Sequence, residues 1–113
     1  MNNNKIYIGL IQINNSFSGQ NYFPYTVGLL QTYVKAHSKQ PERYEFLLPI
    51  YKREKIQTIA EKLKDANVVA FSTYVWNMNL SLAVAKQIKA YNPNVLTIFG
   101  GPQVPDSAEY FLL

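Results

Sequence analysis

Two hydrophobic periods take turns along this chain, and their order lays out the fold. KIYIGLIQI (5–13) is rich in Ile without a helical stripe and reads as a buried strand. NNSFSGQN (14–21) is polar and reads as a loop. After Pro24 the apolar spacing changes to threes and fours. Val27, Leu30, Val34 and His37, with Tyr33 alongside, predict a helix with one apolar face. Pro24 suits its first turn, where a missing N–H costs nothing, and Gln40-Pro41 ends the unit. YEFLLPI (44–50) reads as a short second strand, with Pro49 marking its end or an edge. Ile56, Ile59, Ala60 and Leu63 then predict a helix within 52–65. VVAFST (68–73) has no polar alternation, the mark of a strand buried on both faces. Asn77 or Asn79 caps the next helix, whose apolar face is Leu80, Ala83, Val84, Ile88 and Tyr91. Asn92-Pro93 stops it. VLTIFGG (95–101) is the fourth strand, and Pro105-Asp106-Ser107 reads as a further helix start.

Strands alternating with helices imply right-handed crossovers and a doubly wound α/β fold, a parallel sheet covered on both sides. The expected strand order is 2-1-3-4. A five-stranded domain would run on through the last helix to another strand. The pattern therefore predicts one domain, residues 1–113, truncated before a fifth strand and forming an N-terminal piece of a longer chain. It also leaves the fourth strand as a bare edge, through which self-association is expected.

Composition narrows the class. Of 113 residues, 48% are hydrophobic and 16% charged, which is globular and not disordered. No apolar run approaches the ~20 residues that span a bilayer. MNNNKIYIGL has no leader pattern, so a cytoplasmic protein without membrane contact is expected. Cys is absent, which removes disulfides and thiolate metal sites from these residues. The net charge of +4 permits an anionic partner. The cations between Lys52 and Lys64 are interleaved with Glu54, Glu61 and Asp65, however, as on a solvated helix face, and no nucleic-acid partner is expected.

In an open parallel sheet, ligands bind outside the carboxyl ends of the strands. Those ends are QINNSFSGQNYFPYTVG, STYVWN and GGPQVPD. They hold no G-x-G-x-x-G and no P-loop. They also lack the clustered acids of a phospho-acceptor domain, and no catalytic constellation emerges. His37 falls late in the first helix, where it reads as a packed or partly exposed helix residue. What remains is a binding surface. Ser72 and Thr73 offer hydroxyls, and Gly100 and Gly101 let a bulky group approach the main chain. Tyr22, Phe23, Tyr25, Tyr74 and Trp76 offer broad apolar faces with polar handles. The bland alternatives are a tight turn at Gly-Gly-Pro, an N-cap at Ser-Thr and a core Trp76.

FSTYVWN, an amphipathic helix and NPNVLTIFGGPQVP, preceded by YFPYTVGLLQTYVKAH, resemble the cobalamin (vitamin B12)-binding domain at the N-terminus of many radical S-adenosylmethionine (SAM) enzymes. The resemblance covers residues 5–113 and is strongest over 71–105. It implies a flavodoxin-like, Rossmann-type fold. The cofactor's nucleotide tail would lie in a cleft beside the sheet, with the corrin over the strand ends. By resemblance the binding residues are Ser72, Thr73, Tyr74, Trp76, Gly100, Gly101, Pro102 and Gln103, and a β-carbon at Gly101 would occupy ligand space. S-adenosylmethionine and a 4Fe-4S cluster would belong to a C-terminal radical SAM domain beyond Leu113. That domain is the implied partner, and the implied chemistry of the whole protein is methyl transfer or radical rearrangement. This chain alone is expected to be non-catalytic. Many cobalamin domains carry D-x-H-x-x-G after the first strand, and this loop has neither Asp nor His. Either cobalt lacks a protein imidazole here or the domain has lost cobalamin. In the second case it would be a cofactor-free interaction domain that docks the catalytic domain.

Overall fold

A computed structural model describes residues 5–14 and 25–104. The elements run β1 (Ile6–Ile11), α1 (Tyr25–His37), a 3-10 turn (Pro41–Arg43), β2 (Tyr44–Phe46), α2 (Ile56–Lys62), β3 (Val68–Ser72), α3 (Met78–Tyr91) and β4 (Leu96–Gly100). The four strands form one sheet in the order β2-β1-β3-β4, every pair parallel, as the alternating pattern requires. The Pro24 turn, the aromatics Tyr22 and Phe23 and the helix start at Pro105 lie outside the described residues.

The two faces of the sheet are covered unequally. Odd positions of β1 face α2, since a β-carbon added at Gly9 would sit 2.7 Å from Leu63 Cδ2. On that side Ile11, Ile13, Val69 and Phe71 pack with Ile59, Leu63, Val84 and Ile88 into the main core. The Phe71 and Phe99 rings, cross-strand neighbours, stack at 4.7 Å and 6°. Even positions lie on the α1 side, where Leu10, Val27 and Leu30 line one cleft, and α1 buries only Val27 among its described apolar side chains. Leu30, expected on the buried face of this helix, is 52% exposed, and on β4 Leu96 and Ile98 are 55% and 47% exposed. The periodicity of α1 is thus present without a full partner for it.

Three expectations shift. The second strand is shorter than 44–50, because Leu48-Pro49 loops out with Leu48 87% exposed. Pairing with β1 then resumes, as Ile50 donates its N–H to Leu10 O (3.0 Å) and accepts from Gln12 N (2.9 Å). Pro49 has no N–H to offer the ladder. The buried stripe of α3 is Ser81, Val84, Ala85 and Ile88, while Leu80 rides its flank and Tyr91 is exposed. His37 ends α1 in an exposed position, its ring 4.3 Å from that of Tyr33. No helix among the described residues is long and apolar enough to cross a membrane.

Candidate functional site

Reversal of strand order between β1 and β3 opens a crevice at the carboxyl ends, the usual ligand position in such sheets. On the α1 face it forms a cleft of about 270 Å³. Leu10, Val27, Leu30, Ala70 and Ile98 supply apolar walls, and Ser72, Tyr74, Gly100 and Gly101 lie at the carboxyl end. A larger cleft, about 540 Å³, lies between α2 and the Leu47–Lys52 segment. None of the binding residues expected from the sequence lines it, and Lys62 at its edge is paired with Glu54 at 2.9 Å. The α1-face cleft is the better candidate because the strand-end residues converge there.

The two glycines do different things. A β-carbon added at Gly100 meets nothing within 4 Å, so its missing side chain leaves open space at the cleft. Gly101 has φ +103°, and a β-carbon there would sit 2.4 Å from the carbonyl oxygen of Thr73. This corrects the expectation for Gly101. Its side chain is excluded by the neighbouring backbone and a left-handed conformation, not by ligand space. Thr73 is fully buried, and its hydroxyl donates to Gly100 O at 2.7 Å. Thr73 therefore sits beneath the cleft as a clamp between β3 and β4, while Ser72 reaches the cleft. Pro102 and Gln103 are exposed in the turn after β4.

Tyr74 and Trp76 stand beside this end of the sheet with rings stacked at 4.7 Å and 4°. Trp76 is 43% exposed and so is no core residue. The Arg53 guanidinium donates to Trp76 O and straps the loop from the β2 side. The decisive residue here is Asn77, whose role as a cap the structure replaces. It occupies the N-cap position but makes no side-chain cap bond. Its buried Nδ2 donates to Ile13 O (2.9 Å) and Ser72 O (3.1 Å), and its Oδ1 accepts from Tyr74 N (2.8 Å). One side chain thus ties the ends of β1 and β3 to the aromatic loop. Local pattern carries no signal for it, because the partners are distant backbone groups.

Charge gathers away from the cleft. At the opposite end of the sheet, Lys64 is held above its ordinary pKa, first by its hydrogen bond to Glu61. Among the described residues no three His, Asp or Glu side chains converge as a metal site. The cleft is instead suited to a flat apolar group with polar attachments. Gly100 provides a cradle that a side chain would fill, and the buried Gln12 Oε1 after the end of β1 has no hydrogen-bond partner among the described residues. These features fit the nucleotide tail of cobalamin.

Comparison with known proteins agrees with that fit. A family model for the B12 binding domain matches residues 23–113. The cobalamin-dependent radical SAM methyltransferase TokK of Streptomyces tokunonensis is 38% identical over 93 residues, covering 80% of this chain and 14% of TokK. The 2-(S-pantetheinyl)-carbapenam-3-carboxylate methyltransferase of Streptantibioticus cattleyicolor is 35% identical over 85 residues, covering 75% of this chain and 12% of that enzyme. The chain thus spans a small fraction of the length of these relatives. Its parallel sheet, its strand-end cleft and these matches agree, and the chain belongs to the B12 binding domain family.

Proposed function

We propose that this chain is the cobalamin-holding part of a radical SAM methyltransferase. The observation that carries the reading is the apolar cleft on the α1 face, left open where Gly100 has no side chain. The tail of the cofactor would enter between Leu10, Ala70 and Ile98, and the corrin would lie over the strand ends beside Tyr74, Trp76, Pro102 and Gln103. Bound cobalamin supplies a cobalt centre able to carry a methyl group. The residues of this chain bind and orient it and exclude water from the buried side. SAM and the 4Fe-4S cluster would belong to a separate radical SAM domain, since these 113 residues contain no Cys to ligate a cluster. Methyl transfer is favoured over rearrangement by the names of both relatives.

The test is titration with hydroxocobalamin followed by gel filtration. Wild-type protein should retain the red colour, and Gly100→Leu should lose it with its circular dichroism unchanged, because the leucine fills the cleft. Equal retention by both removes the cleft from the site. A second reading, a cofactor-free domain that docks the radical SAM domain, is favoured by the open apolar positions Leu30, Leu96 and Ile98. A folded wild-type chain that retains no corrinoid selects it. Self-association through β4, the last strand in the order of the described sheet, is a separate expectation that a monomer by light scattering at high concentration removes.

A further inference from the structure

Gln12 lies beside the cleft rather than among its lining residues, and its side chain is buried. It is only 9% exposed, and among the described residues its Oε1 has no hydrogen-bond partner. A buried acceptor left unpaired costs roughly as much as a lost hydrogen bond, so such an atom calls for an explanation. Its place in the fold supplies one. Extended backbone continues past Ile11, with Gln12 N donating to Ile50 O and Asn14 N to Tyr51 O. Alternation therefore puts Gln12 on the face of Leu10, the α1 face that holds the cleft. The β1–β3 register pairs Leu10 with Ala70 and Ile11 with Phe71, which brings Gln12 level with Ser72, itself paired with Gly100. Gln12, Ser72 and Gly100 thus form one row across three strands at the carboxyl end. Ser81, on the core stripe of α3, also has an unpartnered hydroxyl, but it lies away from the cleft.

We propose that Gln12 recognises the polar part of the nucleotide tail, its amide oxygen accepting a hydrogen bond from a ribose hydroxyl. This assignment rests on the cobalamin reading of the cleft and adds to it a residue that discriminates complete corrinoids from those without a nucleotide. The apolar walls hold the flat base but cannot read the sugar. An acceptor already stripped of water loses nothing further when the donor arrives, so the bond is gained at little desolvation cost.

The experiment compares hydroxocobalamin with cobinamide, the corrinoid that lacks the nucleotide, by absorbance titration of the wild-type chain, Gln12→Met and Gln12→Leu. Expected is a threefold to tenfold loss of hydroxocobalamin affinity, on the order of one neutral hydrogen bond, with cobinamide affinity unchanged. Melting temperatures of the free variants should equal or exceed wild type, because an orphan acceptor has been removed. In parallel, the Gln12 side-chain amide resonances of the wild-type chain should shift with hydroxocobalamin and not with cobinamide, a readout independent of how the variants fold. Equal weakening toward both corrinoids would make Gln12 a structural support and overturn the proposal, as would unshifted amide resonances. A wild-type chain that binds cobinamide and hydroxocobalamin equally well overturns tail recognition while leaving corrinoid binding intact. A chain that binds neither overturns the cobalamin reading and this assignment with it.

Discussion

The main chain of Thr73 passes against Gly101 so closely that an added β-carbon would lie 2.4 Å from its carbonyl oxygen and 2.8 Å from its amide nitrogen. Gly101 also has φ +103°, which L-residues rarely adopt. Gly101→Ala should therefore destabilise the chain by at least about 1–3 kcal/mol, the scale of a strained backbone position. Gly100→Ala, with open space around it, should lie within about 1 kcal/mol of wild type. Urea denaturation of the pair checks this, and equal midpoints would refute the distinction between the two glycines.

Asn77→Ala removes two donors and one acceptor at once and leaves the Ile13 and Ser72 carbonyls and the Tyr74 amide short of a partner. The expected cost is about 2–4 kcal/mol, since buried unpaired groups carry most of the penalty. The chain has a single Trp, so its emission reports on the loop that Asn77 holds. A red-shifted spectrum in the folded variant is expected. Unchanged stability and emission would mean that the loop holds itself.

That same emission reports on the ligand. Trp76 is stacked on Tyr74 at the strand ends, so a corrinoid lying there should quench it during titration. Gly100→Leu should abolish the quenching. Quenching that persists in this variant at the wild-type concentration would keep the corrin beside Trp76 and place the tail outside the Gly100 cleft.

Cobalt coordination gives a fourth expectation. His37 is the only His in the sequence and ends α1, about 18 Å of helix from Tyr25 at ~1.5 Å per residue. With the cofactor's own base drawn into the cleft, the cob(II)alamin complex should show no nitrogen superhyperfine splitting in its EPR spectrum. His37→Ala should leave that spectrum unchanged. Splitting lost in His37→Ala would assign the imidazole to cobalt, and splitting that survives would keep the base on cobalt and empty the cleft.

The order of elements is legible because each strand and helix carries its own period, and the apolar runs of β1 and β3 mark central strands of a parallel sheet, although β3 alternates buried and half-buried positions instead of burying both faces. In α3 the apolar pattern points one step away from the buried stripe, because Leu80 and Tyr91 outrank the buried Ser81 and Ala85 in hydrophobicity. At the site, Gly100 and Ser72 stood out as strand-end residues. Gln12 and Asn77 did not, because a polar residue in an apolar run looks like a strand end and an Asn before a helix looks like a cap. Their roles depend on which distant backbone or empty space lies opposite, and that is set by the register between strands. At Gly101 the pattern of two glycines points to a want of space, but the neighbour that takes that space is the Thr73 main chain, which no local pattern shows.

Unequal cover of the sheet sets the order in which the chain comes apart. The α2–α3 side carries the closed core, whereas α1 buries Val27 and leaves Leu30 half exposed. In native-state hydrogen exchange, the amides of α1 should become labelled through a low-energy local opening, while those of β1 and β3 wait for global unfolding. A ligand seated between α1 and the sheet would then act as the missing half of a core. It would draw the exchange of α1 toward that of the strands, so that the last cooperative unit of this domain is completed by its cofactor and not by its chain.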